Sequence, residues 1–518
     1  MFVFVTVGIL LFAATAVLLL WIFLPTHRAA WLIAISGGAL ALVSVFIWLA
    51  NPSAQIQLPA WQPAALFGQS LTFTSDLFAS TFALSIVALS LSILFTAVVR
   101  DNFFNPLAWA GNLALTALGV LAVTADNLLT LALIWAAFDL TELIIQFRFV
   151  EDPKRTEGAI TAFAFHALGI LVLLWADAAG ATGGDSFNFH STTSQTGAYL
   201  LIAAGLRIGV LPLHLPYAGD SPLRRGFGTA LRMTSAASSL ILLARIPAGS
   251  IAAAFEPYLL AFTTLAAVYG GWMWLRAPDE LTGRPFWLIG IGSLAVIATL
   301  RGNLAGAAAW SCALILCGGV LFLSSEPQRW LTRGLWVGAF GLSSLPFSLT
   351  ASGWANTTPI FFLLWIPLLL AHVMLLTGFI RYISHTRIRN EDQPAWAKNV
   401  YSIGILLLLT INLLLGFFNW SASFQTGNLT ASLIVSFLTF TLVRFTPRLR
   451  ILNPVRAHWV RPTASTWLDW SYQIMQTIYK QTSRASAVLT TMLEGESGIM
   501  WMLIFVAFLI SFFAQNAP

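Results

Sequence analysis

Lysine is almost missing from this 518-residue chain: Lys154, Lys398 and Lys480 stand alone, and the other basic residues are arginines. Charge of either sign is scarce, at 9% against 58% hydrophobic residues, where a soluble domain carries about 25% charge. So few charges cannot cover the surface of a water-soluble fold of this size, which excludes a soluble enzyme. Cysteine is limited to Cys312 and Cys317 in one apolar run. That rules out a disulfide framework and an iron–sulfur set, and the two read as small buried hydrophobes. No dinucleotide fingerprint or haem motif occurs. The chain is therefore expected to hold no cofactor, no metal and no catalytic centre of its own. The net charge of +6 comes from basic residues scattered between apolar runs, which marks topology rather than a nucleic-acid surface. The N-terminus opens on an apolar run without a basic flank, so residues 2–23 read as a retained span and not a cleaved signal peptide.

What is present in abundance is apolar sequence. A helix needs about 20 apolar residues to cross a hydrocarbon core of about 30 Å. Runs of that kind lie near 2–23, 29–50, 75–99, 105–124, 127–147, 159–179, 197–215 and 226–246. Eight more lie near 257–275, 285–300, 303–324, 332–350, 359–380, 399–418, 429–445 and 498–514. The expected fold is an all-α integral membrane protein of about sixteen transmembrane helices. With that count, 22 of the 26 Lys and Arg residues fall in connections on one side, among them Arg100, Arg225, Arg276, Arg284 and Arg381. Arg245 and Arg301 fall on the other side, while Arg207 and Arg232 lie within spans. A miscounted helix would scramble every later loop, so the asymmetry supports the count. It also predicts basic loops in the cytoplasm and both termini outside.

Segments 51–74 and 181–196 carry no Lys or Arg and read as extracytoplasmic loops or short hairpins. In 446–497, Thr466 and Asp469 form a capping-box pattern. Trp467, Trp470, Ile474, Ile478, Val488 and Met492 then recur at helical spacing among Gln473, Gln476, Lys480, Gln481 and Arg484. This predicts an amphipathic helix along the cytoplasmic face, resting on its own bundle or reaching onto a neighbouring subunit.

Ionisable groups inside spans carry the functional information, because each costs a few kcal/mol at mid-bilayer (about 2.5–3.5 on insertion scales). The fifth span holds Asp139 and Glu142, three apart on one helix face. His166 lies in the sixth span, Arg207 in the seventh before Pro212 and His214, Arg232 in the eighth and His372 in the thirteenth. Arg207 must face protein and is expected to pair with Asp139 or Glu142. His166 and His372 read as proton-path groups or as imidazoles satisfied by a backbone carbonyl. The seventh span breaks at Gly209-Val-Leu-Pro212 and the twelfth at Gly341-Leu-Ser-Ser-Leu-Pro346. Interrupted helices five spans apart point to two repeats of inverted topology, with an ion or substrate path near the membrane middle.

The stretch Gly205-Leu-Arg-Ile-Gly-Val-Leu-Pro212-Leu-His214, with Pro222 and a further span ending Leu-Ala-Arg245, resembles the antiporter-like subunits of respiratory complex I. That family is shared with Mrp-type cation/proton antiporters and membrane-bound hydrogenases. Arg207, Pro212 and His214 match the family's lysine, proline and histidine spacing. Asn127-Leu-Leu with Trp135 resembles its fifth helix, and Ser75-Asp76-Leu the start of its third. The motifs cover residues 70–350, and the amphipathic helix before the last span resembles a short lateral helix. The resemblance implies two inverted five-helix repeats, at 105–246 and 257–380, after an N-terminal segment 1–104 and before two further spans in 381–445 and a final span in 498–518. It also implies a place among other membrane subunits in a larger redox- or ion-driven complex, in the cytoplasmic membrane of a prokaryote.

Departures from the pattern matter as much. The family glutamate is Ala136 here, with Asp139 about one turn later. The first-channel lysine is Arg207, the central lysine of the second repeat is Gly318, and the eighth-helix histidine is Ala230. Arginine can hold a carboxylate charged, but with a pKa above about 12 it does not release a proton. The expected function is thus a membrane subunit of a complex-I-like, Mrp or hydrogenase-type assembly, contributing to proton or sodium translocation with its own channel weakened. The path residues would be Asp139, Glu142, His166, Arg207 and His214, with Arg232 and His372 second. A non-conducting scaffold subunit is the alternative, and a stand-alone transporter would need a substrate site that the sequence does not display.

Overall fold

A computed structural model describes residues 2–24, 29–50, 55–58, 70–100, 105–149, 153–180, 189, 192–194, 196–217, 225–325, 329–355, 362–384, 394–418 and 423–445. The expected amphipathic helix and final span lie outside the described residues. Fifteen α-helices stand where the first fifteen spans are predicted. They are α1 (Phe2–Phe23), α2 (Ala29–Ala50), α3 (Leu77–Thr96), α4 (Pro106–Thr124), α5 (Leu128–Phe149), α6 (Pro153–Gly180), α7 (Thr196–Ile208) and α8 (Phe227–Arg245). There follow α9 (Glu256–Arg276), α10 (Glu280–Leu300), α11 (Leu304–Leu323), α12 (Arg329–Gly341), α13 (Phe362–Ser384), α14 (Ala395–Phe418) and α15 (Thr426–Phe445). Among the described residues, thirteen helices are long and apolar enough to cross a membrane. The chain is a multi-pass membrane protein. Helices are the expected solution, because hydrocarbon offers no partner for a free backbone N–H or C=O.

Polar caps set the helix starts. Asp76 accepts from Ala79 N at 2.6 Å to begin α3, and Asn105 accepts from Ala108 N at 3.1 Å just before Pro106. Asp279 caps α10 and Asn303 caps α11 in the same way. Between helices, glycine allows close approach: a Cβ on Gly270 of α9 would lie 2.6 Å from Gly290 N of α10. Segment 51–74 contributes a hairpin, β1 (Gln55–Gln57) antiparallel to β2 (Thr72–Thr74). The hairpin is stitched to the α4–α5 turn: Asp126 N donates to Thr72 O at 2.9 Å, and Gln55 Nε2 to Asp126 Oδ2 at 2.8 Å.

Two closed rings of five helices organise the bundle. Each helix from α4 to α8 packs on the next, and α8 returns to α4; α9 to α13 do the same, with α13 returning to α9. The buried helices α3, α8, α10 and α11 lie where the rings meet. α1 and α2 pack on α3 and α4, α14 on α3 and α11, and α15 on α13.

The two short helices are also crossings, by a parity argument. A Cβ on Gly226, at the start of α8, would collide with the Arg100 guanidinium at the end of α3. The end of α3 and the start of α8 therefore share one end of the bundle, so α4 to α7 make an even number of crossings. Tyr382 at the end of α13 donates to Ala277 O at the end of α9, at 2.9 Å. The same count holds for α10 to α13. At the first end, Arg225 donates to Phe322 O and Ser324 O at 3.1 and 3.0 Å and pairs with Glu280 at 2.5 Å. At the opposite end Arg245, closing α8, donates to Val123 O at the end of α4 at 3.0 Å. α7 and α12 thus complete their crossings in non-helical chain.

One boundary is corrected. Arg284, expected in a basic loop before a span at 285, lies inside α10 and is buried. Asp279 starts that helix a turn early, and Pro285, its sixth residue, lies inside the helix, where it omits the N–H that would bond Leu281 O.

Candidate functional site

The ionisable residues singled out from the sequence converge in the first ring. α5 presents Trp135, Asp139, Glu142 and Gln146 at spacings of four, three and four, which is one helix face. α6 brings His166, α7 Arg207, and α8 Arg232 and Ser239. Asp139, Glu142, His166, Arg207 and Arg232 are all buried.

Arg207 pairs with Asp139, settling the choice between the two carboxylates. The fork is bidentate, with Arg207 Nη1 2.5 Å from Asp139 Oδ2 and Nη2 2.6 Å from Oδ1. That geometry combines charge and direction, and is the strongest form of this contact. His166 Nδ1 adds a contact to Asp139 Oδ1 at 3.1 Å. Arg207 Nε donates to Ser239 Oγ at 3.0 Å, and its guanidinium lies 4.3 Å from the Trp135 ring centre. Trp135 is fixed in turn by its Nε1, which donates to Ser238 O at 2.9 Å. On α6, Gly169 clears the arginine stem; a Cβ there would stand 2.8 Å from Arg207 Cγ. Every polar atom of the Asp139 carboxylate is engaged.

A second pair lies one turn along α5. Arg232 bonds Glu142 Oε1, which also accepts from Gln146 Nε2 at 2.7 Å. Glu142 Oε2 is buried and, among the described residues, has no hydrogen-bond partner. Arg232 lies 4.1 Å from the centre of the Tyr217 ring, which Arg284 approaches at 5.9 Å. Sequence reasoning placed Arg232 in a span but did not pair it, and it missed Gln146, Ser239, Tyr217 and Arg284. Gln146 was within reach, four residues after Glu142. The contacts of Tyr217 and Arg284 depend on tertiary packing and carry no local signal.

Asp139, Glu142 and His166 place three donor atoms within 4.8 Å of one another. Each carboxylate is already neutralised by an arginine, so a divalent cation would have to displace one.

The α7 break follows Arg207 directly. α7 ends at Ile208 and turns at Gly209, φ +77°, into the cis Leu211–Pro212 bond. His214 N donates to Gly209 O at 3.1 Å. A Cβ on Gly209 would meet His214 O at 2.4 Å. Gly209→Ala is therefore expected to destabilise the chain by at least about 1–2 kcal/mol from the backbone conformation alone. Thermal unfolding in detergent checks this, with Gly249→Ala, at another positive φ in open space, reporting the conformational cost by itself. His214 does not join the carboxylates: its ring stacks on Phe165 at 3.7 Å and Nδ1 donates to Pro212 O at 2.8 Å. His372 lies in the second ring, where Nε2 donates to Leu342 O at 2.7 Å. That carbonyl is exposed by the α12 break, which runs through Pro346 with Ser344 and Phe347 at φ 56° and 66°.

No protein-family model matches the sequence, and a search of curated proteins gives no match. Solved structures do match in fold. A chain of the Mrp complex from Dietzia sp. aligns over all of this chain with a TM-score of 0.70 and 14% identity. This chain spans 63% of that chain's length. A chain of the membrane-bound sulfane sulfur reductase, an archaeal respiratory membrane complex, aligns over 97% of this chain and 99% of its own, with a TM-score of 0.64 and 14% identity. The chain is thus a multi-pass membrane protein that shares its fold with those two chains.

Proposed function

We infer that the chain is a membrane subunit of an ion-translocating complex of the Mrp or respiratory type, and that its first ring contributes to moving protons or sodium ions. The two rings would be the inverted repeats, at 105–246 and 257–380, in a prokaryotic cytoplasmic membrane. The observation that carries this reading is the pair of buried ion pairs, Asp139–Arg207 and Glu142–Arg232, side by side at a broken helix. Charges at such depth are costly, and they mark ion paths in membrane proteins. Their roles differ. The Arg207 fork holds both Asp139 oxygens, so this pair is a fixed dipole beside the path. Glu142 has one oxygen open, and takes up and releases the moving charge, with His166 as its neighbour. The channel is weakened because no lysine relays charge onward.

A scaffold role is the competing reading, favoured by the bidentate fork on Asp139, which resists charge exchange. Purification decides between membership in a complex and a stand-alone protein. A tagged chain extracted from its native membrane is expected to elute with other membrane subunits, and the eluate in liposomes to move protons or sodium when its redox or ion-gradient partner is supplied. Recovery as a lone monomer contradicts membership; a complete complex whose ion flux is unchanged by Asp139→Asn and by Glu142→Gln supports the scaffold.

A further inference from the structure

The helices of the two rings pack in the same order, but the rings differ inside. Where the first encloses ion pairs, the second encloses aromatic rings. Trp274 of α9, Trp287 of α10, Phe322 of α11, and Phe379 and Tyr382 of α13 are all fully buried. Their centres follow one another at 4.7 Å (Trp274–Tyr382), 5.1 Å (Trp274–Trp287) and 5.9 Å (Trp287–Phe379). Phe322 stands edge-on to both indoles, 6.2 Å from Trp274 and 6.4 Å from Trp287. Further along, His372 lies 4.9 Å from Trp310 and 6.0 Å from Trp354, with a backbone carbonyl on its Nε2.

The stack is seated on glycine. A Cβ on Gly318 would lie 2.7 Å from Trp287 Nε1, one on Gly283 2.8 Å from Trp274 Cε3, and one on Gly378 2.6 Å from the Trp274 ring. Three helices thus omit a side chain where two indoles need the volume. The indole N–H groups are spent within the wall: Trp274 Nε1 donates to Leu375 O at 3.0 Å and Trp287 Nε1 to Leu314 O at 3.2 Å. Both indole donors of the layer are thus engaged, and a tightly filled aromatic layer is a barrier to ions. The buried Trp354 Nε1, His372 Nδ1 and Thr377 Oγ1 of the second ring have no hydrogen-bond partner among the described residues.

We propose that the second ring is an insulating plug: Trp274 and Trp287, seated on Gly283, Gly318 and Gly378, close its interior to water and ions, so any charge that this chain moves must pass through the first ring. The second half of the molecule is filled, and lacks more than a relay residue. The plug stands whether or not the first ring conducts, and its test does not use flux.

The full-length chain is compared with Gly318→Leu, Trp287→Gly and the double variant by thermal unfolding in detergent. Each single change is expected to lower the melting temperature by about 5 °C or more. In the double variant the leucine side chain occupies part of the space of the lost indole, and at least half of the Gly318→Leu loss should return. An equal loss from Gly318→Leu in both backgrounds overturns the seating, as does tolerance of Gly318→Leu alone. A second measurement reads the layer directly. A Gly318→Cys thiol, whose Cβ would point at Trp287 Nε1, in a chain with Cys312 and Cys317 changed to serine, should resist a charged thiol reagent applied to vesicles of either orientation. Modification from either face means that water reaches this layer, and overturns the plug.

Discussion

Asp139→Ala is expected to be the most damaging single substitution in the first ring, at about 3–5 kcal/mol, the usual cost of leaving one partner of a buried ion pair alone. Arg207 is buried. Without Asp139 its Nη groups would keep only His166 O, at 3.3 Å, and the Trp135 face. Both contacts together replace a small part of a bidentate carboxylate. The sharper expectation concerns the partner. Replacing Asp139 and Arg207 together, as Asp139→Ala with Arg207→Met, removes both charges and should recover most of the loss, since a buried pair swapped for apolar side chains is often neutral. Unfolding of the four chains in a mixed detergent series measures the coupling. If the double variant is as unstable as the sum of the singles, the pair does not act as a unit and the site is wrongly built.

Much of this architecture is legible in the amino-acid order. Apolar runs give the first fifteen helices because a hydrocarbon solvent leaves few alternatives to them. The glycine–proline breaks after Ile208 and Gly341 show because backbone freed from a helix needs glycine, proline or hydroxyl partners such as Thr350, whose Oγ1 donates to Gly341 O at 3.0 Å. Arg207 announces a carboxylate partner by its burial cost alone. What stays hidden is pairing over long separations. Arg232 and Glu142 are 90 residues apart, and nothing local tells Arg232 to face α5. The start of α10 is misread for a different reason: Arg284 and Pro285 look like a loop, while Asp279 caps the helix a turn earlier by accepting from Leu281 N and Thr282 N at 2.9 and 2.8 Å. The aromatic filling of the second ring is equally silent, because tryptophan and glycine in apolar helices signal nothing until they are brought face to face.

Glu142→Gln should have the largest functional effect. The amide matches the carboxylate in shape, and its carbonyl oxygen can still accept from Arg232 and Gln146, as Glu142 Oε1 does. The buried Arg232 loses its counter-charge, which costs stability, so assembly is measured with flux. What is lost is the capacity to bind and release a proton, or to hold a sodium ion by charge, at the open oxygen. Removal of a proton-transfer group typically costs about 10²–10⁴-fold in rate. The neighbouring Asp139, clamped on both oxygens, cannot substitute for it. Gln146→Leu, which removes one of the two donors to Oε1, should lower flux less than Glu142→Gln does, because the carboxylate and its Arg232 partner remain.

Flux through the complex in liposomes, wild type against Glu142→Gln, with assembly verified by subunit content, is the measurement closest to the central claim. The account predicts a full complement of subunits and a fall in proton or sodium flux of at least about tenfold. An assembled complex with wild-type flux would contradict it, and would leave the buried charges of the first ring with a structural role alone.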